Sequence, residues 1–227
     1  NCEKNKNRSK YLMDSSTIAS KIDHTLLKSD TTKKNIKQLC DEAVKFGFYS
    51  VCINSIWLKD AYDFLHGSPV KLCTVSGFPL GASSTSCKLH EMEISIQDGA
   101  SEIDMVMNIG YFRDKKYKIV SDEISRMVQI AHGKIIKVII ESGILTKEEV
   151  MIAAKLVEDS GAQYVKTSTG FSDFGASTEI IHIIKTALKS DTKIKASGGI
   201  KSLYQVKNLL DAGAERIGTS SGLIIMK

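Results

Sequence analysis

The stretch EIDMVMN, residues 102–108, alternates polar side chains with large apolar ones. Successive side chains of a β-strand point to opposite faces, so a strand here divides its residues into two sets. One face carries the isoleucine and both methionines, and the other carries Glu102, Asp104, Val106 and Asn108. The apolar face must pack against helices. The carboxylates therefore point to the opposite side of the sheet.

Seven further β-branched or apolar runs accompany this stretch, and amphipathic segments of helical period separate them. The predicted strands are Lys21–His24, Ser50–Asn54, Val70–Ser76, Glu102–Asn108, Lys137–Glu141, Gln163–Thr167, Lys193–Ser197 and Glu215–Thr219. The predicted helices include Thr32–Phe46, Ser84–Asp98, Lys115–His132, Lys147–Ser160 and Thr178–Lys189. This alternation is typical of parallel α/β proteins, either an open doubly wound sheet or a closed barrel. Eight units without a G-x-G-x-x-G motif after the first strand favour a single (β/α)8 TIM barrel.

Charged side chains continue on the inward face of the next three predicted strands. The same alternation turns inward Lys137, Ile139 and Glu141, then Tyr164 and Lys166, then Lys193 and Lys195. Barrel interiors are normally filled with branched apolar side chains, and a buried unpaired charge is costly. We therefore expect a paired network of lysines and carboxylates inside the barrel. Such a network is either a set of salt bridges that fixes the fold or an active site, and its extension over four adjacent strands favours the active site.

Composition excludes several functional classes. The 227 residues carry a net charge of +5 and 7% aromatic residues, and the lysines are spread along the chain, so no basic face for nucleic acid is indicated. No apolar run reaches the roughly 18–20 residues that a membrane helix needs. Five cysteines without a C-x-x-C motif argue against a disulfide framework and favour a reducing compartment, the cytoplasm. The scattered histidines lack zinc spacing, so we expect no protein-held metal.

The chain divides into a tail and one domain. Residues 1–16 are polar and without periodicity, which predicts a disordered N-terminal tail, and residues 17–227 form the barrel domain. Because only residues 223–227 follow Gly222, the last outer helix is expected to be short or missing. The apolar flank it would cover is then exposed, covered by the N-terminal segment, or buried in a partner subunit of a homodimer or higher homo-oligomer.

Two of the inward lysines lie on neighbouring strands. Lys166 and Lys195 both come shortly before the end of their strands, and parallel strands are about 4.8 Å apart. A nearby cation and burial both disfavour the charged form of a lysine. One lysine of the pair is therefore expected to become a neutral amine, which can attack a carbonyl and form a Schiff base.

Three loops of small residues follow consecutive strands and predict a phosphate site. They are Thr167-Ser168-Thr169-Gly170, Ser197-Gly198-Gly199 and Gly218-Thr219-Ser220-Ser221-Gly222. Small residues let backbone N–H groups close on an anion, and barrels commonly hold phosphate in the loops after strands seven and eight. The lysine pair beside these loops strengthens the prediction.

Taken together, motifs from Ile22 to Gly222 resemble those of the deoxyribose-phosphate aldolases, class I Schiff-base aldolases on a (β/α)8 barrel. The motifs are IDHTLL (22–27), VCIN (51–54), GFPLG (77–81), EIDMVMN (102–108), KVIIE (137–141), YVKTSTGF (164–171), KASGGI (195–200) and GTSSG (218–222). The resemblance implies reversible cleavage of 2-deoxy-D-ribose 5-phosphate into D-glyceraldehyde 3-phosphate and acetaldehyde, a step in deoxyribonucleotide breakdown. It implies no cofactor, because the Schiff base itself withdraws electrons.

The resemblance also implies residue roles. Lys166 is the Schiff-base lysine, Lys195 is the neighbouring cation that makes it less basic, Asp104 moves protons with a water, and Asp23 supports this network. Asp23 by spacing alone is equally a polar strand residue, whereas for Cys52 the interpretation as a small buried apolar residue is favoured, because free cysteines are usually of that kind. The implied substrate- and phosphate-binding residues are Thr167, Gly170, Gly198, Gly199, Ser220, Ser221, Thr25, Leu27, Cys52 and Phe78.

The chain departs from the family pattern at its C-terminus. Some members carry a tail ending in a tyrosine that is proposed to assist proton transfer, whereas this sequence has no tyrosine after Tyr204. The departure concerns the efficiency of C2 protonation, not the Schiff base. Two other functions remain as alternatives: a different phosphosugar enzyme, such as another Schiff-base aldolase or a ring epimerase, and a catalytically silent phosphosugar-binding barrel. The retained lysine pair argues against an epimerase and against a silent barrel.

Overall fold

Eight parallel strands close into a barrel in chain order, as the sequence predicts. The computed structural model describes residues 14–227. The strands are β1 (Ile22–Leu26), β2 (Ser50–Ile53), β3 (Lys71–Ser76), β4 (Glu102–Val106), β5 (Ile135–Ile139), β6 (Tyr164–Lys166), β7 (Lys193–Ser197) and β8 (Arg216–Thr219). Pairing of β8 with β1 closes the sheet.

Helices surround the barrel and bury the outward faces of the strands. They are α1 (Ser15–Ala19), α2 (Lys33–Phe46), α3 (Leu58–Phe64), α4 (Thr85–Gln97), α5 (Ile109–Arg113), α6 (Tyr117–Ile130), α7 (Lys147–Asp159), α8 (Thr178–Ala187), α9 (Leu203–Ala212) and α10 (Gly222–Ile225). Capping boxes at Thr32, Thr146 and Ser202 begin α2, α7 and α9 by satisfying exposed backbone N–H groups. The apolar outward residues, such as Ile103 and Met105, are fully buried beneath the helices.

Backbone conformation corrects one predicted helix. The segment Lys115–His132 is too long at both ends, because α6 runs from Tyr117 to Ile130. Lys115 and His132 have φ angles of 60° and 47°, which lie in the left-handed region and cannot continue a right-handed helix.

A short helix lies at each end of the predicted domain. Most of the predicted tail, residues 1–13, lies outside the described residues. Ser15 and Ser16, which the prediction assigns to the tail, form the first turn of α1. After β8, α10 has four residues, in agreement with the expected short last helix. None of the helices within residues 14–227 has the length and apolar character needed to cross a lipid bilayer.

The strand register arranges the side chains inside the barrel in layers of four. Each layer takes one residue from every second strand, because neighbouring strands are shifted along the barrel axis. From the N-terminal to the C-terminal end of the strands, the layers are Ser50, Glu102, Tyr164 and Arg216; then Asp23, Cys73, Lys137 and Lys195; then Cys52, Asp104, Lys166 and Gly218.

Two side chains predicted to face this interior lie elsewhere. Lys193 is at the N-terminal mouth of the barrel, where its side chain is 49% exposed and lies 4.0 Å from Glu215. Glu141 follows the end of β5 with a φ of 42°, and its carboxylate turns toward the loop after β6. Strand alternation fails for both because Lys193 precedes the enclosed layers and Glu141 lies beyond the regular strand.

Candidate active site

A cavity of about 330 Å³ opens at the C-terminal end of the strands. The residues around it include Thr25, Leu27, Lys28, Lys166, Thr169, Gly170, Phe171, Ser197, Gly198, Gly199, Lys201, Thr219, Ser220 and Ser221. They come from the ends of β1, β6, β7 and β8, the positions where barrel enzymes build their active sites. The cavity therefore contains eight of the predicted site residues, counting Lys166 and the predicted binding residues together.

Lys166 connects this cavity to the buried charges. Its ammonium group lies 2.8 Å from Oδ2 of Asp104, and the Lys195 ammonium lies 2.7 Å from the same oxygen. Lys137 binds the other oxygen, Oδ1, at 2.7 Å. Of the three lysines, only Lys166 lines the cavity. Two predicted catalytic residues, Lys166 and Lys195, thus both contact a third, Asp104.

The Asp104 carboxylate is held ionised by its partners. Burial alone would raise the pKa of Asp104, but the ammonium groups of Lys137, Lys166 and Lys195 hold it well below its usual range. At neutral pH this carboxylate is an acceptor with a full negative charge, positioned directly beneath the cavity.

Asp23 lies one layer below and does not reach the cavity. Its carboxylate binds the Lys195 ammonium through one oxygen and accepts from Nη1 of Arg216 at 2.8 Å through the other. Burial opposes its ionisation, but Lys195, Lys137 and Arg216 lower its pKa. Asp23 therefore fixes Lys195 from below, and its predicted role in supporting the network is consistent with these contacts.

Lys195 remains a cation in this setting. Burial would lower its pKa, yet the carboxylates of Asp104 and Asp23 outweigh burial and raise that pKa above its ordinary value. The same balance raises the pKa of Lys137, which contacts Asp104 and Glu102. Two permanent positive charges thus lie below Lys166.

The glycine-rich loops form one side of the cavity. Gly170, Gly198 and Gly199 have φ angles of 85°, 90° and 72°, a region that favours glycine. A Cβ on Gly198 would lie 3.0 Å from the Cα of Gly175, so the two loops approach too closely for larger residues. Ser220 and Ser221 also line the cavity, immediately before α10.

Thr167 does not belong to the cavity lining, contrary to the sequence prediction. Its side chain is fully buried, and its hydroxyl donates to the carbonyl oxygen of Ser197 while accepting from the Ser197 backbone N–H, both at 3.0 Å. These bonds join the ends of β6 and β7. Thr167 thus holds together the starts of the two loops that follow these strands.

Of the predicted binding residues Leu27, Cys52 and Phe78, only Leu27 lies at the cavity. Leu27 lines it, whereas Cys52 is fully buried beside Cys73, with Phe78 packed against that cluster. Phe171 lines the cavity and packs edge-on against Phe78, with ring centroids 5.2 Å apart. Phe78 thus supports a wall residue that the sequence interpretation did not identify.

Three further charged residues at or near the cavity were not among the predicted site residues. Lys28 and Lys201 bring two positive charges to the cavity beside the glycine loops. Lys201 comes directly after the Gly-Gly-Ile motif, and this position was the signal from which it could have been predicted. Glu141 accepts from the hydroxyl groups of Thr169 and Ser172 and so organises the loop that carries Phe171.

Cys52, Cys73 and Asp104 form a group whose sulfur and oxygen atoms lie within 4.8 Å of one another. This donor set fits a metal ion poorly. Both Asp104 oxygens already accept from lysine ammonium groups, and these cations would repel a metal. Burial also raises the pKa of the Cys73 thiol well above its usual range, which disfavours the thiolate that a metal requires.

Comparison with known proteins places this arrangement in context. A family model described as DeoC/LacD family aldolase matches residues 17–227. The deoxyribose-phosphate aldolase of Lysinibacillus sphaericus is 49% identical over 210 residues, covering 92% of this chain and 94% of that protein. The deoxyribose-phosphate aldolase of Dictyoglomus turgidum is 47% identical over 209 residues, covering 92% and 95%. The tetrameric structure of deoxyribose phosphate aldolase from Aeropyrum pernix matches with a TM-score of 0.88 and 30% identity, covering 95% and 92%.

Proposed function

This chain belongs to the DeoC/LacD family of aldolases, and we propose that it cleaves 2-deoxy-D-ribose 5-phosphate reversibly into D-glyceraldehyde 3-phosphate and acetaldehyde. The reaction proceeds through a Schiff base on Lys166. The observation that carries this assignment is that Lys166 alone among the buried cations of the described barrel interior both lines the cavity and contacts a single carboxylate.

The other three cations are each held by at least two carboxylates. Lys195 contacts Asp23 and Asp104, and Arg216 contacts Asp23 and Glu102. Lys137 contacts all three of these acids. A proton is lost most readily where the fewest negative charges retain it. Lys166 is therefore the group that becomes the neutral amine, and it is also the one that a carbonyl in the cavity can reach.

Bond formation and cleavage follow from that amine. Lys166 adds to the C1 aldehyde, and loss of water from the resulting carbinolamine gives an iminium. The iminium accepts the electron pair of the C2–C3 bond as the C3 hydroxyl loses its proton, which releases D-glyceraldehyde 3-phosphate and leaves an enamine. Protonation at C2 and hydrolysis of the iminium then release acetaldehyde and restore the amine.

Asp104 and Lys195 support these proton transfers. Asp104 is an ionised acceptor in contact with the Lys166 nitrogen, so with a water molecule it can carry the protons of the carbinolamine and C2 steps. Lys195 is a fixed cation on the same carboxylate oxygen, and it favours the neutral form of Lys166 by charge repulsion. Asp23 positions Lys195 without contacting the substrate.

The phosphate of the substrate is assigned to the loops after β7 and β8. Gly198 and Gly199 expose backbone there, Ser220 and Ser221 stand at the start of α10, and Lys201 supplies positive charge. Backbone N–H groups and a nearby cation are the groups that bind phosphate in such barrels. This places C1 of the sugar toward Lys166 and C5 toward the glycine loops.

We also propose a cellular location and an assembly state for the enzyme. Cys40, Cys52, Cys73 and Cys87 are free thiols, which supports a cytoplasmic location. Assembly with further copies of the same chain is supported by the tetrameric relative from Aeropyrum pernix.

Reductive trapping tests the proposal. Acetaldehyde or the sugar phosphate is added with sodium borohydride, and the adduct is located by peptide mass spectrometry. The proposal expects a reduced adduct on Lys166 and none in Lys166→Arg, which keeps the charge but cannot form the imine. An adduct on a different lysine, or none in a folded protein, would refute it.

A further inference from the structure

The layer of side chains at the N-terminal end of the barrel holds a second charged pair, Glu102 and Arg216. Nη1 of Arg216 lies 3.2 Å from Glu102 and 2.8 Å from Asp23. The guanidinium carbon lies over the Tyr49 ring, 3.4 Å from its centroid, and the guanidinium donates to the Tyr164 hydroxyl at 3.3 Å. Glu102 also binds Lys137 at 2.6 Å. Neither Glu102 nor Arg216 lines the cavity of Lys166.

These two residues belong to the same continuous ion network as Lys166. The network joins Arg216 to Asp23, Asp23 to Lys195, and Lys195 to Asp104. Asp104 then contacts Lys166. All of these residues are buried, so water screens their charges far less than it would at the surface.

Counting charges along the network gives an imbalance of one. Three carboxylates, Asp23, Glu102 and Asp104, face the four cationic side chains Lys137, Lys166, Lys195 and Arg216. If every group is ionised, the interior carries a surplus of one positive charge. Loss of a single proton removes the surplus, and the contacts of Lys166 make it the site of that loss.

The geometry points to Glu102 and Arg216 as positioning residues that set this surplus and thereby the fraction of Lys166 present as neutral amine. The inference rests on the proposed Schiff-base function and adds to it two residues that do not touch the substrate. Arg216 acts as a permanent charge, because its carboxylate neighbours raise its pKa further despite burial.

Several other titratable groups lie near Lys166, and variants of Glu102 and Arg216 leave all of them in place. Asp104 from β4 contacts Lys166 directly, Lys195 from β7 and Lys137 from β5 contact the same Asp104 carboxylate, and the thiols of Cys52 and Cys73 on β2 and β3 lie beside Asp104. Glu141 lies in the loop beyond β5, and Lys28 and Lys201 line the same cavity. All of these groups remain in each variant, so a shift is caused by the pair that is altered.

Removing a positive charge and removing a negative charge from the network should have opposite effects on how readily Lys166 loses its proton. Arg216→Met leaves three acids and three lysines, so the surplus vanishes and Lys166 retains its proton. Glu102→Gln leaves two acids and four cations, so the surplus doubles and Lys166 loses its proton more readily. The combined variant has two acids and three lysines, which restores the surplus of one.

The experiment measures the pH at which imine formation is half complete. Imine formation is quantified by reductive trapping of acetaldehyde on Lys166, and the acid limb of the pH profile of kcat/KM is measured in parallel. We expect the midpoint to rise by about one pH unit in Arg216→Met and to fall by about one unit in Glu102→Gln, the scale of shift that a nearby charge produces. The double variant should return close to the unmodified protein. Arg216→Lys, which keeps the charge, and Arg113→Met, which removes an exposed ion pair with Glu149, should leave the midpoint unchanged.

A purely structural role gives a different pattern. It predicts lower stability in both single variants with no midpoint shift, or shifts of the same sign, and either result overturns the inference. If Arg216→Met fails to fold, the fall expected in the isosteric Glu102→Gln variant decides the question alone. Failure of the proposed function is recognised separately, because the unmodified protein would then form no adduct on Lys166.

Discussion

The ammonium groups of Lys166 and Lys195 are held on one carboxylate oxygen, Oδ2 of Asp104, at 2.8 and 2.7 Å. Such an arrangement brings two like charges together in a buried site. The charge of Lys195 is balanced there because Asp23 also binds it. Lys166, in contrast, has no second carboxylate partner among the described residues.

Lys195→Leu should therefore leave the barrel folded but remove the cation that favours the neutral form of Lys166. Since the amine fraction changes tenfold for each unit of pH midpoint, we expect a loss of about a hundredfold in kcat/KM at pH 7 and partial recovery at alkaline pH. The measurement is a pH–rate profile with circular dichroism as the check on folding. Lys193→Leu is the matched control on the same strand, because Lys193 is half-exposed at the other end. Unchanged activity of Lys195→Leu at pH 7 would contradict the role given to this residue.

Glu141→Gln should weaken the loop after β6. The carboxylate accepts from Thr169 and Ser172, and a neutral amide oxygen is a weaker acceptor than a carboxylate. We expect KM for the sugar phosphate to rise by about tenfold, consistent with loss of one charge-assisted hydrogen bond, while kcat changes little. Glu148→Gln, on the exposed first turn of α7, is the control. Equal KM values in the two variants would show that the loop does not depend on Glu141.

Gly218→Ala should displace Lys195. A Cβ at this position would lie 3.0 Å from Cε of Lys195 and 3.1 Å from Cβ of Ser197. Because Asp23 and Asp104 hold Lys195 on both sides, it cannot move aside without losing an ion pair. Overpacking of this kind destabilises proteins by about 1–3 kcal/mol, and we expect a fall in kcat beside a lower denaturation midpoint.

Gly110→Ala serves as the comparison for that substitution. Its nearest contact to an added Cβ is 3.6 Å, an ordinary van der Waals distance, and it lies in α5. Alanine favours a helix over glycine, so this variant should be neutral or slightly stabilising. If Gly218→Ala behaved the same way, the close packing around Lys195 would have no energetic consequence.

Lys201→Gln should discriminate between phosphorylated and free sugar. Lys201 lines the cavity beside Gly198 and Gly199, so its removal should raise KM for 2-deoxyribose 5-phosphate by about tenfold at low ionic strength, with a smaller effect as salt screens the charge. Turnover of unphosphorylated 2-deoxyribose should be unaffected. Lys207→Gln, on α9 and outside the cavity lining, removes the same charge as a control. Equal effects on both sugars would place the phosphate elsewhere.

The buried network should shape the dependence of stability on pH. Asp23 and Asp104 have pKa values lowered in the folded protein, so their stabilising contribution is complete above the unfolded value of 3.8 and declines as pH falls below it. Lys137 and Lys195 have raised pKa values, so their contribution is complete below 10.5 and declines as pH rises above it. Between these two pH values, the free energy of unfolding measured by chemical denaturation should change little through these four groups.

Asp41→Asn provides the reference for acid denaturation, since Asp41 forms an exposed ion pair with Lys37. Exposed pairs contribute about 0–1 kcal/mol, so this variant should retain the acid transition of the unmodified protein. Asp104→Asn should show a shallower loss of stability below pH 4 if it folds, because one of the titrating carboxylates is gone. An unchanged acid slope would exclude Asp104 as a source of the transition.

Alternation along single strands was enough to predict much of this site. It identified Asp104, Lys137, Lys166 and Lys195 as inward-facing, and each of the three lysines contacts Asp104. The signal was clear because period-two patterning is local, and charges on one face of an otherwise apolar strand require a partner. Arg216 and Cys73 escaped prediction because each is a single polar or small residue in a strand whose pattern does not reveal its face.

The sequence by itself thus determined the barrel, its eight units and the side of each strand on which the charges lie, because these follow from periodicity over a few residues. Only the tertiary structure decided the height of each side chain in the barrel. That height depends on the shift between strands that are separated by whole helices, as in the pairing of Lys166 with Lys195, or by the length of the domain, as in the pairing of Gly218 with Asp23. The number of carboxylates around each lysine is set by this shift, and it is what distinguishes Lys166 from its neighbours.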